Sequence, residues 1–234
     1  CAEKGISKIV FTSTVAVYGF AEPDTNTSGK INPFNEYGRT KFSAEEKLRQ
    51  WNSKGVNSLI IVRPTVIFGE GNRGNVFNLF NQIASGKFIM VGKGDNEKSM
   101  AYISNVVDFL MACVESDYKY RLYNYVDTPD LKMNELISHV RYKLKGKNGV
   151  GLRLPYWLGI MLGYVADTIS KVTGNNSPIS SIRVKKFSAS TKFNTTKTEL
   201  DGFSAPFQLL QGITNTLESE FISPDPEREI FYTE

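Results

Sequence analysis

The chain has 234 residues, 41% hydrophobic and 22% charged, with a net charge of +4. That is enough apolar content for one substantial core or two small ones, and it excludes a disordered chain. Lys and Arg are scattered among Asp and Glu rather than gathered in a stripe, which argues against a nucleic-acid partner. The two cysteines, Cys1 and Cys113, form no disulfide framework, so a reduced, cytoplasmic setting is expected.

In chain order, CAEKGIS reads as a helix end passing through a glycine into the β-branched strand KIVFT at 8–12. A domain seldom begins at such a point, and no apolar signal-peptide core is present. A loop rich in Pro, Asn, Thr and Gly (19–36) leads into an amphipathic helix over about 37–54, carrying the pairs Lys41/Glu45 and Glu45/Arg49. NSLIIVRPT is nearly continuously apolar, as in a strand of a parallel sheet covered on both faces, with Pro64 stopping the ladder. A Gly-rich loop (69–74), the helix VFNLFNQIASG, the short strand FIMVG, the helix NVVDFLMACVES and the strand RLYNYVD follow. LKMNELISHVRYKLKG has the period of an amphipathic helix, and a last helix is expected near 206–222. Between them LPYWLGIMLGYVA (154–166), bounded by Arg153 and Asp167, is too short to span a bilayer and predicts a buried or interface helix. The final stretch, 223–234, reads as a loosely held tail.

The chemistry is concentrated around Tyr37 and Lys41. A Lys ammonium four residues after a Tyr lies on the same helix face and favours the phenolate, so the phenol can serve as a general acid/base. Ser13 or Thr14, at the end of the preceding strand, can offer a hydroxyl to the substrate oxygen that gains or loses the proton while a nicotinamide exchanges hydride. Such a pair arises easily by chance, and its neighbours give it meaning. Thr14-Val-Ala-Val-Tyr18-Gly19 precedes it, Asn35-Glu-Tyr37-Gly38-Arg-Thr-Lys41 contains it, and Val62-Arg63-Pro64 with Phe68-Gly69 follows.

These ordered motifs resemble the extended short-chain dehydrogenase/reductase superfamily, in particular its nucleotide-sugar epimerases, dehydratases and 4-ketoreductases. The resemblance is strongest up to residue 115 and diffuse afterwards. It implies Tyr37 as acid/base, Lys41 as its partner and as a ligand to the nicotinamide ribose, and Thr14 as the hydroxyl that orients substrate. Ser13 would line the same pocket, and Pro64, Thr65 and Val66 would pack against the nicotinamide of NAD or NADP. Arg63 is equally well read as a structural ion-pair residue. Asn75 opens the helix after GEGNRGN, where free backbone N–H groups suit phosphate. In relatives an Asn at that point touches the substrate diphosphate, which makes Asn75, Arg73 and Lys98 candidate ligands of a nucleotide-diphosphate sugar.

Two departures narrow the class. Met100-Ala101-Tyr102 stands where many epimerases and dehydratases have Arg-Asp before the aromatic, which leaves room for a ketoreductase. Val15 and Ala16 stand where dehydratases often place an acidic pair, which disfavours dehydration. His139 has no metal-ligand neighbours, so no metal is expected. Gly69, Gly71 and Gly74 lack the Lys-Ser/Thr of a phosphate loop.

A dinucleotide site also needs a Gly-rich turn between the first strand and helix, and nothing of that kind precedes Thr12. The relatives carry about a hundred residues there, a usual domain's worth. The expected fold is therefore α/β, a partial Rossmann-like doubly wound parallel sheet formed by 1–68 and 100–127, with a smaller, mainly helical substrate lobe from 69–99 and 128–222. Homodimerisation is a family-level expectation. The alternatives are a steroid- or flavonoid-like alcohol reductase of the same superfamily, and a non-catalytic sensor or scaffold.

Overall fold

A computed structural model describes residues 4–55, 57–173, 180–194 and 200–232; Cys1 lies outside them. The first elements are β1 (Lys8–Thr12), a 3-10 turn (Val15–Tyr18), α1 (Glu36–Asn52), β2 (Ser58–Pro64), β3 (Val66–Phe68) and α2 (Asn75–Ala84). Next come β4 (Met90–Val91), β5 (Glu97–Lys98), β6 (Met100–Tyr102), α3 (Ile103–Glu115), β7 (Tyr120–Tyr125), β8 (Leu131–Lys132) and α4 (Met133–Lys145). The last are β9 (Arg153–Leu154), α5 (Tyr156–Thr173), α6 (Ser181–Ser188) and α7 (Leu209–Leu217), which runs on into a π-helical turn (Glu218–Ile222). They divide between two compact units. One contains Cys1–Glu70, Ser99–Asp130 and Lys192–Ile213, and the other Gly71–Lys98, Leu131–Thr191 and Thr214–Glu234.

The first unit is built on a parallel sheet in the order β1-β2-β7, with Thr12 opposite Val62 and Val62 opposite Tyr123. The α/β class expected from the sequence is the class observed. Every residue of β2 is buried, which explains why that strand reads as a nearly continuous apolar run, broken by Arg63. Its pairing continues through Pro64, opposite Tyr125, so the proline closes the strand from within rather than preceding its end. β3 and β6 pair separately, in parallel.

Phe109 on α3 anchors the core with Ile60, Val62, Ala101, Tyr123 and Tyr125. Its ring lies 5.4 Å from that of Tyr123, 4.6 Å from Tyr125 and 5.1 Å from Phe203, so a residue remote in sequence completes the cluster. Cys113 sits in the same core, where burial pushes its thiol up to about 12 and leaves it unreactive.

In the second unit α2 packs on α4 and α5 on α6. The inward face of α5 is made of small residues. A Cβ on Gly159 would come 2.5 Å from Val91, and one on Gly163 would come 2.7 Å from the Ser181 backbone. The helix is not buried all round, because its outward side carries exposed Trp157, Met161, Tyr164 and Ile169. Phe109→Ala removes the ring at the centre of the first unit's aromatic cluster, and is expected to lower unfolding stability by about 3–5 kcal/mol, measured by urea denaturation.

Candidate active site

The site residues of the first unit are set by backbone geometry at the ends of the parallel strands, where open α/β sheets bind ligands. Past Thr12 the chain leaves β1, and the Ser13 N–H still donates to Val62 O at 2.7 Å. Ser13 and Thr14 therefore lie beside the end of β2, where Pro64, Thr65 and Val66 follow. Thr14 caps the 3-10 turn, its Oγ1 accepting from Ala16 N at 3.1 Å. One acceptor lone pair is used and the O–H proton remains available for donation.

Asn35 opens α1 by accepting from Gly38 N at 2.9 Å, the short polar cap that helix starts favour. Gly38 lets this first turn press against the strand end, since a Cβ there would lie 2.7 Å from Ala16 O. Tyr37 and Lys41 follow one turn apart. The Lys41 ammonium donates to Thr12 O at 3.0 Å and lies 5.9 Å from the centroid of the Tyr37 ring. The structure thus brings Tyr37, Lys41 and the end of β1 together. The Tyr37 side is open to solvent, with the residue 54% exposed.

Ser13 is turned the other way. Its buried hydroxyl donates to Glu45, one further turn along the same face of α1. Glu45 in turn receives two bonds from the buried Arg63, Nε to Oε1 at 2.8 Å and Nη2 to Oε2 at 2.5 Å, and one from Arg49 at 2.6 Å. The third nitrogen of Arg63, Nη1, donates to the Tyr18 hydroxyl at 2.7 Å, which itself donates to Asn124 Oδ1 at 2.8 Å. Burial alone would raise the Glu45 carboxyl, but the bonds from Arg63 and Ser13 outweigh it and hold it below its ordinary value. Burial likewise opposes the charge on Arg63, and Glu45 more than restores it. Burial raises the Tyr18 phenol, keeping it protonated as a donor.

The sequence reads Arg63 as an ion-pair residue in one of two options and Glu45 as a helix partner of Lys41 and Arg49; in the structure Glu45 is fully buried against Arg63. The available signal was phase. Glu45 falls in step with Tyr37 and Lys41, and an arginine in an apolar strand requires a carboxylate from the covering helix.

A nicotinamide fits the donor set at this end of the sheet. Lys41 retains donors beyond the one given to Thr12, and Thr65, buried at the exit of β2, has an Oγ1 without a hydrogen-bond partner among the described residues. Val66 beside it is exposed.

The second unit holds the other candidates. Asn75 is the first residue of α2, behind the cap position Gly74. Arg73 pairs with the carboxylate of Glu220, stacks 4.0 Å from the Phe77 ring and donates its N–H to Phe231 O at 2.7 Å. Lys98 donates to Lys186 O at 2.9 Å and to Ala189 O at the end of α6, and burial lowers it to about 8. Both cations are thus engaged within their own unit. His139 hydrogen-bonds Thr214 at 2.9 Å. Among the described residues, no three His, Cys, Asp or Glu side chains gather as metal ligands.

The parallel sheet with helices on it, and with Tyr37 and Lys41 beside its strand ends, places the chain in the class of Rossmann-like α/β proteins. The chain belongs more narrowly to the NAD dependent epimerase/dehydratase family, whose pattern matches residues 1–125. It is 48% identical, over 99% of its length and 71% of the relative's, to the N-acetyl-alpha-D-glucosaminyl-diphospho-ditrans,octacis-undecaprenol 4-epimerase of Escherichia coli O157:H7. It is 23% identical to the UDP-glucose 4-epimerase of Vibrio cholerae, over 74% of this chain and 55% of that one. The fold matches the crystal structure of UDP-N-acetylglucosamine 4-epimerase from Bacillus cereus with a TM-score of 0.68 at 16% identity, covering 99% of this chain and 69% of that one. The expected superfamily, enzyme class and nicotinamide cofactor are those of this family.

Removing one member of the buried pair strands the other. Glu45→Gln or Arg63→Met is expected to cost about 3–5 kcal/mol of unfolding free energy, and the double change Glu45→Leu with Arg63→Met is expected to recover most of it. Because the folded carboxyl is held below its ordinary 4.5, its stabilisation is complete above that pH and is lost as pH falls through the folded value. Glu45→Gln should flatten that acid limb in urea titrations.

Proposed function

We propose that this chain supplies the acid/base apparatus of a 4-epimerase whose substrate is an N-acetylhexosamine linked through diphosphate to a polyprenol. The observation that carries the reading is the 48% identity across 99% of the chain to the E. coli enzyme of that name. The arrangement of Tyr37 and Lys41 against the end of β1 is the chemistry such an enzyme requires.

In this reading the exposed Tyr37, as its phenolate, would take the proton from the sugar 4-hydroxyl as that carbon gives up hydride, and the resulting phenol would return the proton as hydride comes back to the other face and the opposite configuration forms. The Thr14 O–H proton, not used in capping, orients the same oxygen. Lys41, steadied by Thr12 O, holds its ammonium 5.9 Å from the Tyr37 ring centroid and would offer its remaining donors to the cofactor ribose. NAD, when bound, supplies hydride acceptance and return. Pro64, Thr65 and Val66 would flank the nicotinamide, with the Thr65 hydroxyl as a donor still to be satisfied, and Ser13 would support this wall from behind through Glu45. Asn75, at a helix start, Arg73 and Lys98 would serve the diphosphate, Arg73 by exchanging its pairing with Glu220. A reduced, cytoplasmic setting and a homodimer belong to the same reading.

Tyr37→Phe removes the proton carrier and leaves the fold intact. Epimerisation of polyprenyl-diphospho-N-acetylglucosamine, followed by product chromatography, is expected to fall about 10²–10⁴-fold with an unchanged circular dichroism spectrum. Undiminished turnover would refute the assignment of Tyr37. Net one-way consumption of reduced cofactor would identify a ketoreductase instead.

A further inference from the structure

We infer that α5 and α6 form an interfacial face that lays the second unit on an anionic lipid bilayer. The inference rests on the polyprenyl-linked reading for its purpose, because such a substrate is held in a membrane, but its physical basis is the surface itself. On α5, Gly159 and Gly163 pack inward on Val91 and Ser181, while Trp157, Met161, Tyr164, Val165 and Ile169 occupy the opposite arc. Trp157 is 67% exposed and Ile169 56%, and with Met161, Tyr164 and Val165 on the same arc they form a run of exposed apolar side chains rather than scattered single ones.

That arc carries no charged side chain. The carboxylate of Asp167 is directed at α6, where it accepts from Ser181 Oγ at 2.6 Å and Ser181 N at 3.2 Å. Positive charge rims the arc instead. Lys171 lies at the end of α5, and Arg183, Lys185 and Lys186 lie on α6, with Lys185 donating to the Tyr164 hydroxyl at 3.0 Å and lying 5.3 Å from its ring. Apolar residues with Trp and Tyr, bordered by Lys and Arg, are the pattern of a helix lying in the headgroup plane.

Among the described residues no helix is long and apolar enough to cross a membrane, so α5 would lie on the bilayer rather than through it. A second copy of the chain fits less well. An isologous contact would bring the lysine rims of both copies together, and protein interfaces are depleted of lysine. Phosphate headgroups complement the same rim.

The test is sedimentation of the full chain with vesicles of phosphatidylglycerol and phosphatidylethanolamine containing no polyprenyl lipid, against phosphatidylcholine vesicles. A Trp51→Phe background leaves Trp157 as the reporter. Expected are binding to the anionic vesicles that weakens with salt, a blue shift of Trp157 emission, a loss of about fivefold for each of Lys185→Gln and Lys186→Gln, and a loss of about tenfold or more for Ile169→Glu. No binding, or binding indifferent to these changes, overturns the inference. So does a blue shift that follows protein concentration without vesicles, which would identify a second copy as the occupant. Turnover in detergent separates the two readings. A protein that binds vesicles yet epimerises only soluble nucleotide sugars keeps this surface and loses the polyprenyl substrate, whereas one that epimerises the polyprenyl substrate but never binds vesicles does the reverse.

Discussion

The bidentate contact between Arg63 and Glu45 fixes the geometry on which the candidate site depends. A guanidinium near the end of a wholly buried strand must have its charge matched and its donors used, and here two nitrogens meet one carboxylate while the third meets Tyr18. A buried pair of this kind adds little net stability over an apolar equivalent. What it determines is rotation. Glu45 can reach Arg63 only with one face of α1 turned to the sheet, and that face also carries Tyr37 and Lys41. The pair links a strand interior, a helix and the Ser13 hydroxyl at the end of β1 into one rigid assembly.

Close backbone approach completes the arrangement. Gly38 between Tyr37 and Lys41 brings the first helical turn against Ala16, so the Lys41 stem is long enough to reach Thr12 O. The adjacent hydroxyls then divide their work. Ser13 is spent on the buried network, and Thr14 accepts a capping bond while keeping its proton. Two neighbouring residues of similar chemistry acquire different capacities because Ser13 faces Glu45 on α1 while Thr14, in extended backbone, caps the following 3-10 turn.

In the second unit charge is arranged differently. Arg73 is held by Glu220, and Lys98 satisfies carbonyls at the end of α6. The unsatisfied surface is instead apolar and aromatic, on the outward face of α5. Its inward Gly163 brings α5 against α6 and Gly159 brings it against Val91 of β4, and large apolar side chains are left outside.

Much of the fold and part of the site were legible in the sequence, because local rules dominate there. A short β-branched run marked β1 as a strand, a nearly continuous apolar run marked β2 as a strand of a covered parallel sheet, and four-residue spacing placed Tyr37 and Lys41 on one face. Other features depended on contacts between segments far apart in the chain. Phe203 joins the cluster around Phe109 from nearly a hundred residues away, Ser13 turns from the pocket to Glu45, and Glu45 itself is buried although its charged neighbours mark it as a solvent residue. The apolar stretch beginning at Leu154 illustrates the division: its composition established a helix, but only packing decided that the glycines face inward and Trp157 outward. Sequence by itself determined the longer strands and helices of the first unit, the family motifs and the placing of Tyr37 and Lys41 on one helix face, since each follows from periodicity and side-chain chemistry within a few residues. The tertiary structure alone decided which polar groups neutralise one another and which remain available, because desolvation and hydrogen bonding depend on what surrounds a group in space.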